Sequence, residues 1–346
     1  MAKHEFRINP KTLILVLIVF LLVVLTCYLL AQENFIGMIT ALSRANYLLV
    51  GLAIFVYVFG LGIFSTRWRT AVSVVSKNPS RKSLFLAVWG SLFINNVTPF
   101  TYSGGDPFAR TYLLNKLTKT PFSSGLAVIM GEFILDMPIF FSLLVFGLLL
   151  FFWQVETTIA LFLFGVWLAV LTVAVILVAR FLHDRIAADK LSGFLWRVVR
   201  KFRIKTTKAK ISNGIGLFYG GAYHILHRKK CVLVMVALGG LFWTFIMVRL
   251  SLIFLALGYS PPIQMLMLAA TVPAIVGLIP ILPAGLGTVD LAFGFIYGQF
   301  GFGSVLEFGS VTMTAILIDR MITFVLGTLI GAGALSYLGI RIWKKK

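Results

Sequence analysis

Long apolar runs separated by short polar and basic segments are the dominant pattern of this chain. The first run, Thr12 to Ala31, holds about twenty residues, which is enough for a helix to cross a bilayer. Similar runs predict membrane-spanning helices near residues 46–65, 121–153, 157–180, 231–257 and 308–340. The pattern is that of an all-α, multi-pass membrane protein.

Two apolar stretches, 83–120 and 262–302, are interrupted by Pro, Gly and Asp and do not fit as ordinary crossings. The first break is Pro99-Phe-Thr-Tyr-Ser-Gly-Gly-Asp106, and the second is Pro280-Ile-Leu-Pro-Ala-Gly-Leu-Gly-Thr-Val-Asp290. Each break exposes backbone polar groups, which inside a bilayer must be buried in protein or face water. We interpret both stretches as re-entrant hairpins.

The distribution of basic residues gives the two hairpins opposite orientations. Lys and Arg flank both ends of the first hairpin, whereas the ends of the second lack them. The first is therefore predicted to enter from the cytoplasm and the second from outside. A span, hairpin and span over about 46–153 is then repeated with opposite orientation over about 231–340. We predict a single transmembrane domain over 1–346, an inverted-repeat helical bundle with both termini in the cytoplasm.

Composition supports a membrane location and suggests that the positive charge contacts anionic lipid. Hydrophobic residues make up 60% of the chain and charged residues 12%, about half the charged fraction of a soluble domain. The formal net charge of +20 would suggest nucleic acid in a soluble protein. Here the basic residues lie in the predicted cytoplasmic segments, so we expect contacts with anionic lipid head groups and no nucleic-acid partner. The predicted location is the cell membrane.

Residues 181–230 are predicted to form a basic cytoplasmic loop between the two halves. The segment 191–202 alternates apolar and basic positions at helical spacing, which suggests an amphipathic helix on the inner leaflet or a basic tether. A loop of about fifty residues is too small for an ordinary enzyme domain.

Ionisable side chains inside apolar segments are costly and are candidate functional residues. The candidates are Asp106, Arg110, Glu132, Asp136, Arg249, Asp290, Asp319 and Arg320. Their alternative role is to form ion pairs that fix helix packing. Glu132 and Asp136 are four residues apart and share a helix face. Either they form a proton-coupling site, or Arg249 or Arg320 neutralises them.

The breaks themselves offer a second set of candidates: Gly104, Gly105, Gly285 and Gly287. Glycine lets the backbone approach a ligand, and the helix start that follows each break favours an anion such as phosphate. The aspartate beside each break then caps the helix or binds a cationic group.

Two asparagines deep in the membrane and two arginines at the inner head-group level complete the candidate set. Asn95 and Asn96 end the first hairpin arm, where they either satisfy carbonyls exposed by Pro99 or contact a ligand. Arg67 and Arg69 are predicted at the head-group level, where they reach lipid phosphate or guide a head group inward.

The chain lacks the signals of a cofactor site. Cys27 and Cys231 are isolated, and the four histidines form no ligand cluster. There is no Gly-x-x-x-x-Gly-Lys-Ser/Thr loop for ATP. We predict no metal and no cofactor.

Together these motifs resemble the transmembrane region of lysylphosphatidylglycerol synthases. The resemblance covers nearly the whole chain and rests on Gly62-Ile-Phe-Ser-Thr-Arg67-Trp-Arg69, Asn96-Val-Thr-Pro99, Gly104-Gly105-Asp106 with Arg110, Glu132-x-x-x-Asp136, and Pro283-Ala-Gly285-Leu-Gly287-Thr288. It implies a flippase fold with re-entrant helices. In the fused enzymes this region is associated with moving aminoacylated phosphatidylglycerol to the outer leaflet. Here Phe133 follows Glu132, where the family often has Arg, and the soluble aminoacyl-transferase domain is expected to be absent.

The predicted function is a lipid flippase or transporter that moves an anionic or aminoacylated phospholipid, or another lipid-linked head group, between leaflets. One alternative is an intramembrane transferase with Asp106 or Glu132 as base, which would turn over in detergent without a second compartment. Another is a scaffold that holds a cytosolic transferase through residues 181–230. The sequence leaves the oligomeric state open.

Overall fold

The computed structural model describes residue 21 and residues 35–76, 80–97, 106–153, 157–183, 208–277, 285, 287–302 and 309–339, which are helical apart from short turns and contain no strand. The helices are α1 Phe35–Ser43, α2 Tyr47–Val75, α3 Arg81–Val97, α4 Asp106–Thr118, α5 Phe122–Trp153, α6 Thr157–His183, α7 Lys208–Leu226, α8 Lys229–Ala256, α9 Ile263–Val276, α10 Thr288–Gln299, α11 Ser310–Arg320 and α12 Gly327–Tyr337. A π-helical segment, Met321–Leu326, joins α11 to α12.

Four helical stretches in the described part of the chain are long and apolar enough to cross a membrane: α2, α5, α8 and the continuous run Ser310–Tyr337. The prediction of an all-α membrane protein is confirmed. Helix α5 begins and ends within a residue of its predicted bounds, whereas α2 continues ten residues beyond the predicted end at 65. The predicted span 12–32 lies outside the described residues, apart from residue 21.

Helices α2 and α8 pack against each other in opposite directions at the centre of the bundle. At one end the backbone N–H of Asn46 donates to the carbonyl of Ala256, and the Asn46 side chain caps α2 by accepting from the next turn. Midway, the rings of Phe64 and Phe242 lie 5.1 Å apart. These contacts place the start of α2 beside the end of α8.

The short helices α3 and α4 pack side by side, with their outer ends at the end of α2. Helix α2 ends at Val75, and α3 begins at Arg81 after a short turn. The hydroxyl of Thr120, just after α4, donates to the Ser76 hydroxyl at 2.7 Å. The chain therefore leaves the end of α2, runs along α3, and returns through α4 to the place where it started.

The short helices α9 and α10 repeat this arrangement at the opposite end of α2. Helix α9 follows α8 directly, and its entry loop holds Tyr259. The ring of Phe302, just after α10, lies 5.5 Å from Tyr259 and 5.0 Å from Phe254 near the end of α8. The outer ends of α9 and α10 therefore meet beside the end of α8 and the start of α2.

Each short pair packs on a long helix of the other half through close glycine contacts. On α12, Gly331 faces Trp89 and Phe93 of α3 so closely that an added Cβ would overlap them. On α5, Gly147 lies against α9, where a Cβ would be 3.0 Å from the Leu268 side chain. Glycine is needed at these positions because any larger residue would push the helices apart. Each half therefore packs its short helix pair against a glycine of the other half, and these contacts hold the two halves together.

Two helices within the described ranges have no counterpart in the sequence predictions. Helix α1 packs on α11 through Thr314, whose hydroxyl donates to the carbonyl of Met38. Helix α7 lies within the region predicted as a soluble loop, yet it packs on α5, with Gly221 against Ala127 and Ile225 buried. The predicted amphipathic segment 191–202 lies outside the described residues.

Candidate functional site

A cavity of about 640 Å³ lies between the two halves, and both halves line it. The first half contributes residues of α2, α3, α4 and α5, and the second contributes residues of α8, α9, α10 and α11 and the π-helical segment. The size is that of typical ligand sites. Its charged lining residues, among the side chains that the structure describes, are Arg110, Glu132, Asp136, Arg249, Asp319 and Arg320.

Two buried ion pairs hold the first half of this site. Arg110 of α4 donates from Nη1 to the Glu132 carboxylate of α5 at 2.5 Å, and both side chains are 2% exposed. Arg67 of α2 donates from Nη1 to Asp136 at 2.8 Å and from Nη2 to the backbone carbonyl of Glu132 at 3.1 Å. Gly239 of α8 leaves room for the Arg67–Asp136 pair, since its Cβ would be 3.1 Å from Asp136 Oδ1 and 3.3 Å from Arg67 Cζ.

Two further ion pairs hold the second half. Arg320 of α11 donates from Nε to Asp290 of α10 at 2.6 Å. Arg249 of α8 lies 3.0 Å from Asp319 of α11, again through Nε. All four side chains are at most 10% exposed. Removing one partner of such a buried pair costs about 3–5 kcal/mol, because a charge is left without compensation.

The four pairs repeat the same helix relationships in the two halves. In the first half they join α4 to α5 and α2 to α5, and in the second they join α10 to α11 and α8 to α11. Between α4 and α5 the arginine lies on the hairpin helix α4, whereas between α10 and α11 the aspartate lies on the hairpin helix α10 and the arginine lies on α11. The ion pair between these two helices is therefore present in both halves, but the helices that supply the acid and the base are interchanged.

These pairings correct the predicted neutralisation of the α5 acids. Glu132 and Asp136 are paired with Arg110 and Arg67, not with Arg249 or Arg320. Arg67, which was predicted at the head-group level, has a fully buried side chain that pairs with Asp136 of α5. Arg69 is half-buried, and its role stays a prediction.

The described residues around the second break show how glycine and aspartate start α10. Gly285 and Gly287 have φ values of 63° and 79°, in the left-handed region that favours glycine. The N–H of Gly287 donates to Asp290 Oδ2 at 2.9 Å, while Oδ1 accepts from Arg320. Asp290 therefore caps the helix and joins an ion pair. Gly104, Gly105 and the Asp106 side chain lie outside the described residues.

The two asparagines of α3 both line the cavity. Asn96 is buried and donates from Nδ2 to the Thr328 hydroxyl at 2.9 Å and to the Phe324 carbonyl at 3.4 Å. It thus ties α3 to the π-helical segment and the start of α12. Asn95 remains a candidate ligand contact on the cavity wall.

Aromatic rings line much of the cavity, and the sequence predictions did not include them. They are Tyr57, Phe64, Phe133, Phe140, Phe141, Phe242, Trp243, Phe245, Phe293 and Phe324. Two rings already contact cations, since the Arg110 guanidinium lies 4.7 Å from the Phe64 centroid and that of Arg249 lies 5.5 Å from Tyr57. In a chain this rich in phenylalanine, spacing alone gave no signal for which rings face inward.

The rim of the cavity includes apolar side chains on the outer surface of the bundle. Met137 of α5 and Ile275 of α9 both line the cavity and are 42% and 41% exposed. The cavity is therefore continuous with a surface that suits hydrocarbon. Among the described residues, no three His, Cys, Asp or Glu side chains are grouped as metal ligands.

Comparison with known proteins identifies relatives of the chain. Residues 12–331 match the family described as the lysylphosphatidylglycerol synthase TM region. A UPF0104 membrane protein of Methanothermobacter thermautotrophicus is 27% identical over 88% of this chain and 90% of its own length. Another UPF0104 membrane protein, of Methanocaldococcus jannaschii, is 28% identical over 94% of this chain and 96% of its own length. A third, of Pyrococcus horikoshii, is 24% identical over 85% of this chain and 88% of its own length.

No solved structure matches the chain. The relatives are membrane proteins, and the described residues include several helices able to span a bilayer, so this is a multi-pass protein of the cell membrane. The family match covers nearly the whole sequence. The chain belongs to the family of the lysylphosphatidylglycerol synthase transmembrane region.

Proposed function

We propose that this protein moves a phospholipid, or another lipid-linked head group, between the two leaflets of the membrane. The observation that carries the proposal is the cavity between the halves, with charged residues of both halves on its wall. A charged group inside a bilayer is expensive, so a site that keeps six of them around an open space suits a polar group in transit.

The two short helix pairs give this cavity an inverted-repeat geometry. The outer ends of α3 and α4 meet at one end of α2, as the Thr120–Ser76 contact indicates, and those of α9 and α10 meet at the other, beside Tyr259. In a bilayer this arrangement corresponds to two re-entrant hairpins that enter from opposite leaflets. The distribution of basic residues supports a topology with the ends of the first hairpin, and both termini, in the cytoplasm.

The apolar rim favours a lipid over a free polar solute. A head group in the cavity has its acyl chains beside Met137 and Ile275, which are exposed on the outer surface of the bundle. The polar group crosses through the protein while the chains stay in hydrocarbon, so the lipid avoids most of the cost of dragging a charge through the bilayer. Alternation of the two halves would open the cavity to each leaflet in turn.

Reconstitution in vesicles tests the proposal. The purified protein is placed in phosphatidylglycerol vesicles with a trace of acyl-labelled phosphatidylglycerol, and an impermeant quencher reports how fast inner-leaflet lipid reaches the outer leaflet. We expect the wild-type protein to accelerate the exchange. We expect Glu132→Gln to slow it, because this change removes one charge from the cavity wall.

Thr244→Val serves as the matched control for a single substitution. Thr244 is exposed on α8, its hydroxyl bonds its own helix at the Gly240 carbonyl, and it does not line the cavity. We expect this variant to retain the wild-type exchange rate. Exchange by wild-type protein no faster than in protein-free vesicles, across labelled anionic, zwitterionic and aminoacylated lipids, would refute the proposed function.

A further inference from the structure

The buried apolar side chains that the structure describes form two hydrophobic cores, one towards each end of the bundle. The first core joins the later part of α2 and the beginning of α5 to α3, α4 and α12, and its members include Trp68, Leu84, Leu113, Val128 and Leu335. The second core joins the beginning of α2 and the later part of α8 to α9, α10 and α11, and its members include Ala53, Ile253, Leu266, Tyr297 and Ile316. The cavity lies between the cores, since members of both line its wall.

The long helices pass from one core to the other. In α5, Leu135 packs on the first core and Leu144 packs on the second. In the continuous run Ser310–Tyr337, Ile322 belongs to the second core and Ala332 to the first. Helices α2 and α8 also contribute residues to both cores. Any movement of one core relative to the other must therefore bend these helices between the two sets of contacts.

Helix α5 is irregular within its crossing. Pro138 lies inside this helix, between Leu135 and Leu144. Its ring nitrogen has no hydrogen, so it cannot donate to the carbonyl of Ile134 one turn earlier. Proline inside a helix is a usual site of bending. Because the Pro138 side chain is itself exposed, packing does not account for the presence of proline here.

The corresponding helix of the second half is irregular at the equivalent position. Pro138 comes two residues after Asp136, and the π-helical segment begins at Met321, two residues after Asp319. The two aspartates correspond, because each pairs with the arginine of α2 or α8 in its own half. A π-helical turn inside an α-helix is a second usual site of bending and is frequent at functional sites.

Side chains of neighbouring helices bond to the backbone of the π-helical segment. The Tyr57 hydroxyl of α2 donates to the carbonyl of Thr323 at 3.3 Å, and Asn96 Nδ2 of α3 donates to that of Phe324 at 3.4 Å. Inside a membrane, donors of this kind satisfy carbonyls that a change of helical turn would leave unpaired. The segment can therefore change its turn at a lower cost than a stretch of helix surrounded by apolar side chains.

The four buried ion pairs lie within the cores and do not join one core to the other. The pairs of Glu132 and Asp136 connect α4 and α2 to the part of α5 that precedes Pro138. The pairs of Asp290 and Asp319 connect α10 and α8 to α11, which ends before the π-helical segment. Bending at the two irregular sites thus leaves all four pairs intact.

We infer that the two cores move as rigid bodies, and that α5 bends at Pro138 and the run Ser310–Tyr337 bends at residues 321–326. Because the cavity lies between the cores, this movement changes which side of the cavity is open. The inference rests on the proposed function and specifies which parts of the protein alternate. Its first test is a distance measurement that does not depend on lipid movement.

Pairs of spin labels measure the movement by electron paramagnetic resonance in phosphatidylglycerol vesicles, in protein without Cys27 and Cys231. Lys116→Cys with Gln299→Cys spans the cores, from the last turn of α4 to the end of α10. Lys116→Cys with Tyr337→Cys joins α4 to α12 within the first core. All three side chains are exposed and lie outside the cavity wall. We expect the distance distribution to be about twice as wide for the first pair as for the second, as for two bodies joined by hinges.

Pro138→Ala and Pro273→Ala are matched variants for the second arm. Pro273 also lies inside a helix, but within α9 of the second core and away from the cavity wall. Alanine at 138 restores the missing N–H, so we expect Pro138→Ala to narrow the distribution of the pair that spans the cores. It should also slow lipid exchange about tenfold, the effect of one added hydrogen bond on the bending equilibrium. Pro273→Ala should keep the wide distribution and the exchange rate.

The melting temperature separates bending from a structural role of Pro138. We expect Pro138→Ala to melt at a higher temperature than wild type while it exchanges lipid more slowly, because proline destabilises a helix interior. A structural defect would instead lower the melting temperature together with the exchange rate, which would overturn the role of Pro138 as a bending site.

The remaining outcomes distinguish this inference from the function on which it rests. Equally narrow distributions for both wild-type pairs would overturn the movement, and equally wide ones would overturn the division into two rigid cores. An unchanged wide distribution in folded Pro138→Ala would overturn the bending site. If this variant does not fold, the two wild-type pairs still decide. Absence of lipid exchange by wild-type protein would refute the proposed function, while the distances would still decide whether the cores move.

Discussion

Arg67 and Arg249 occupy the same place in two antiparallel helices. Each is the twenty-first residue of its helix, Tyr47–Val75 or Lys229–Ala256. Each pairs with an aspartate on the last long helix of its own half, Asp136 or Asp319. Because α2 and α8 run in opposite directions, these equivalent pairs approach the cavity from opposite ends of the bundle, as expected for two inverted halves.

Breaking one side of the Arg67–Asp136 pair should destabilise the protein more than removing both sides. Arg67→Gln leaves a buried carboxylate without its partner, which costs about 3–5 kcal/mol. The double variant Arg67→Met with Asp136→Leu removes both charges and should recover much of the loss. Thermal unfolding in detergent measures both, and a double variant less stable than each single one would contradict the predicted coupling.

Two neighbouring glycines of α8 should respond very differently to leucine. A Cβ at Gly239 already presses on Asp136 and Arg67, so Gly239→Leu should break their pair and lower the melting temperature strongly. At Gly240 an added Cβ meets nothing within 4 Å, so Gly240→Leu should fold normally. Overpacking costs about 1–3 kcal/mol or more. Equal melting temperatures would show that the space at Gly239 is not needed.

The proposed pair of opposed hairpins predicts which side of the membrane each exposed loop occupies. Lys119 follows α4 and Tyr259 precedes α9, and both side chains are exposed. The test uses a background without Cys27 and Cys231. We expect an impermeant maleimide to label Tyr259→Cys on intact cells. We expect it to label Lys119→Cys only after the cells have been permeabilised. Labelling of both cysteines from the same side of the membrane would contradict the predicted inverted repeat.

Hydropathy predicts the long helices well because a spanning helix must be apolar over most of its length. Helices α5 and α8 lie within two residues of their predicted bounds, and the short arms α3 and α9 begin within two residues of the predicted hairpin starts at 83 and 262. The predicted end of α2 at 65 is too early, because basic residues such as Arg67 and Arg69 ordinarily mark the head-group level. In the structure Arg67 is inside the bundle, where a carboxylate replaces water.

The candidate charges could be found from the sequence, but their partners could not. A buried charge is recognisable because it interrupts an apolar run, whereas its partner depends on which helices pack together. The sequence predictions do not identify Arg67 as the cation that pairs with Asp136. The signal for this pairing is that Arg67 and Arg249 hold equivalent positions in the two halves. The π-helical segment that accepts a hydrogen bond from Asn96 had no local sequence signature.

The most direct measurement obstructs the cavity and follows lipid exchange in vesicles. Ala270 of α9 is buried and lines the cavity, so Ala270→Trp fills it, whereas Val248 of α8 is exposed and away from it, so Val248→Trp adds the same bulk outside. Both variants are required to elute as folded protein. We predict that Ala270→Trp lowers exchange to the rate of protein-free vesicles while Val248→Trp keeps the wild-type rate. Equal exchange by the two variants would contradict passage of the head group through this cavity.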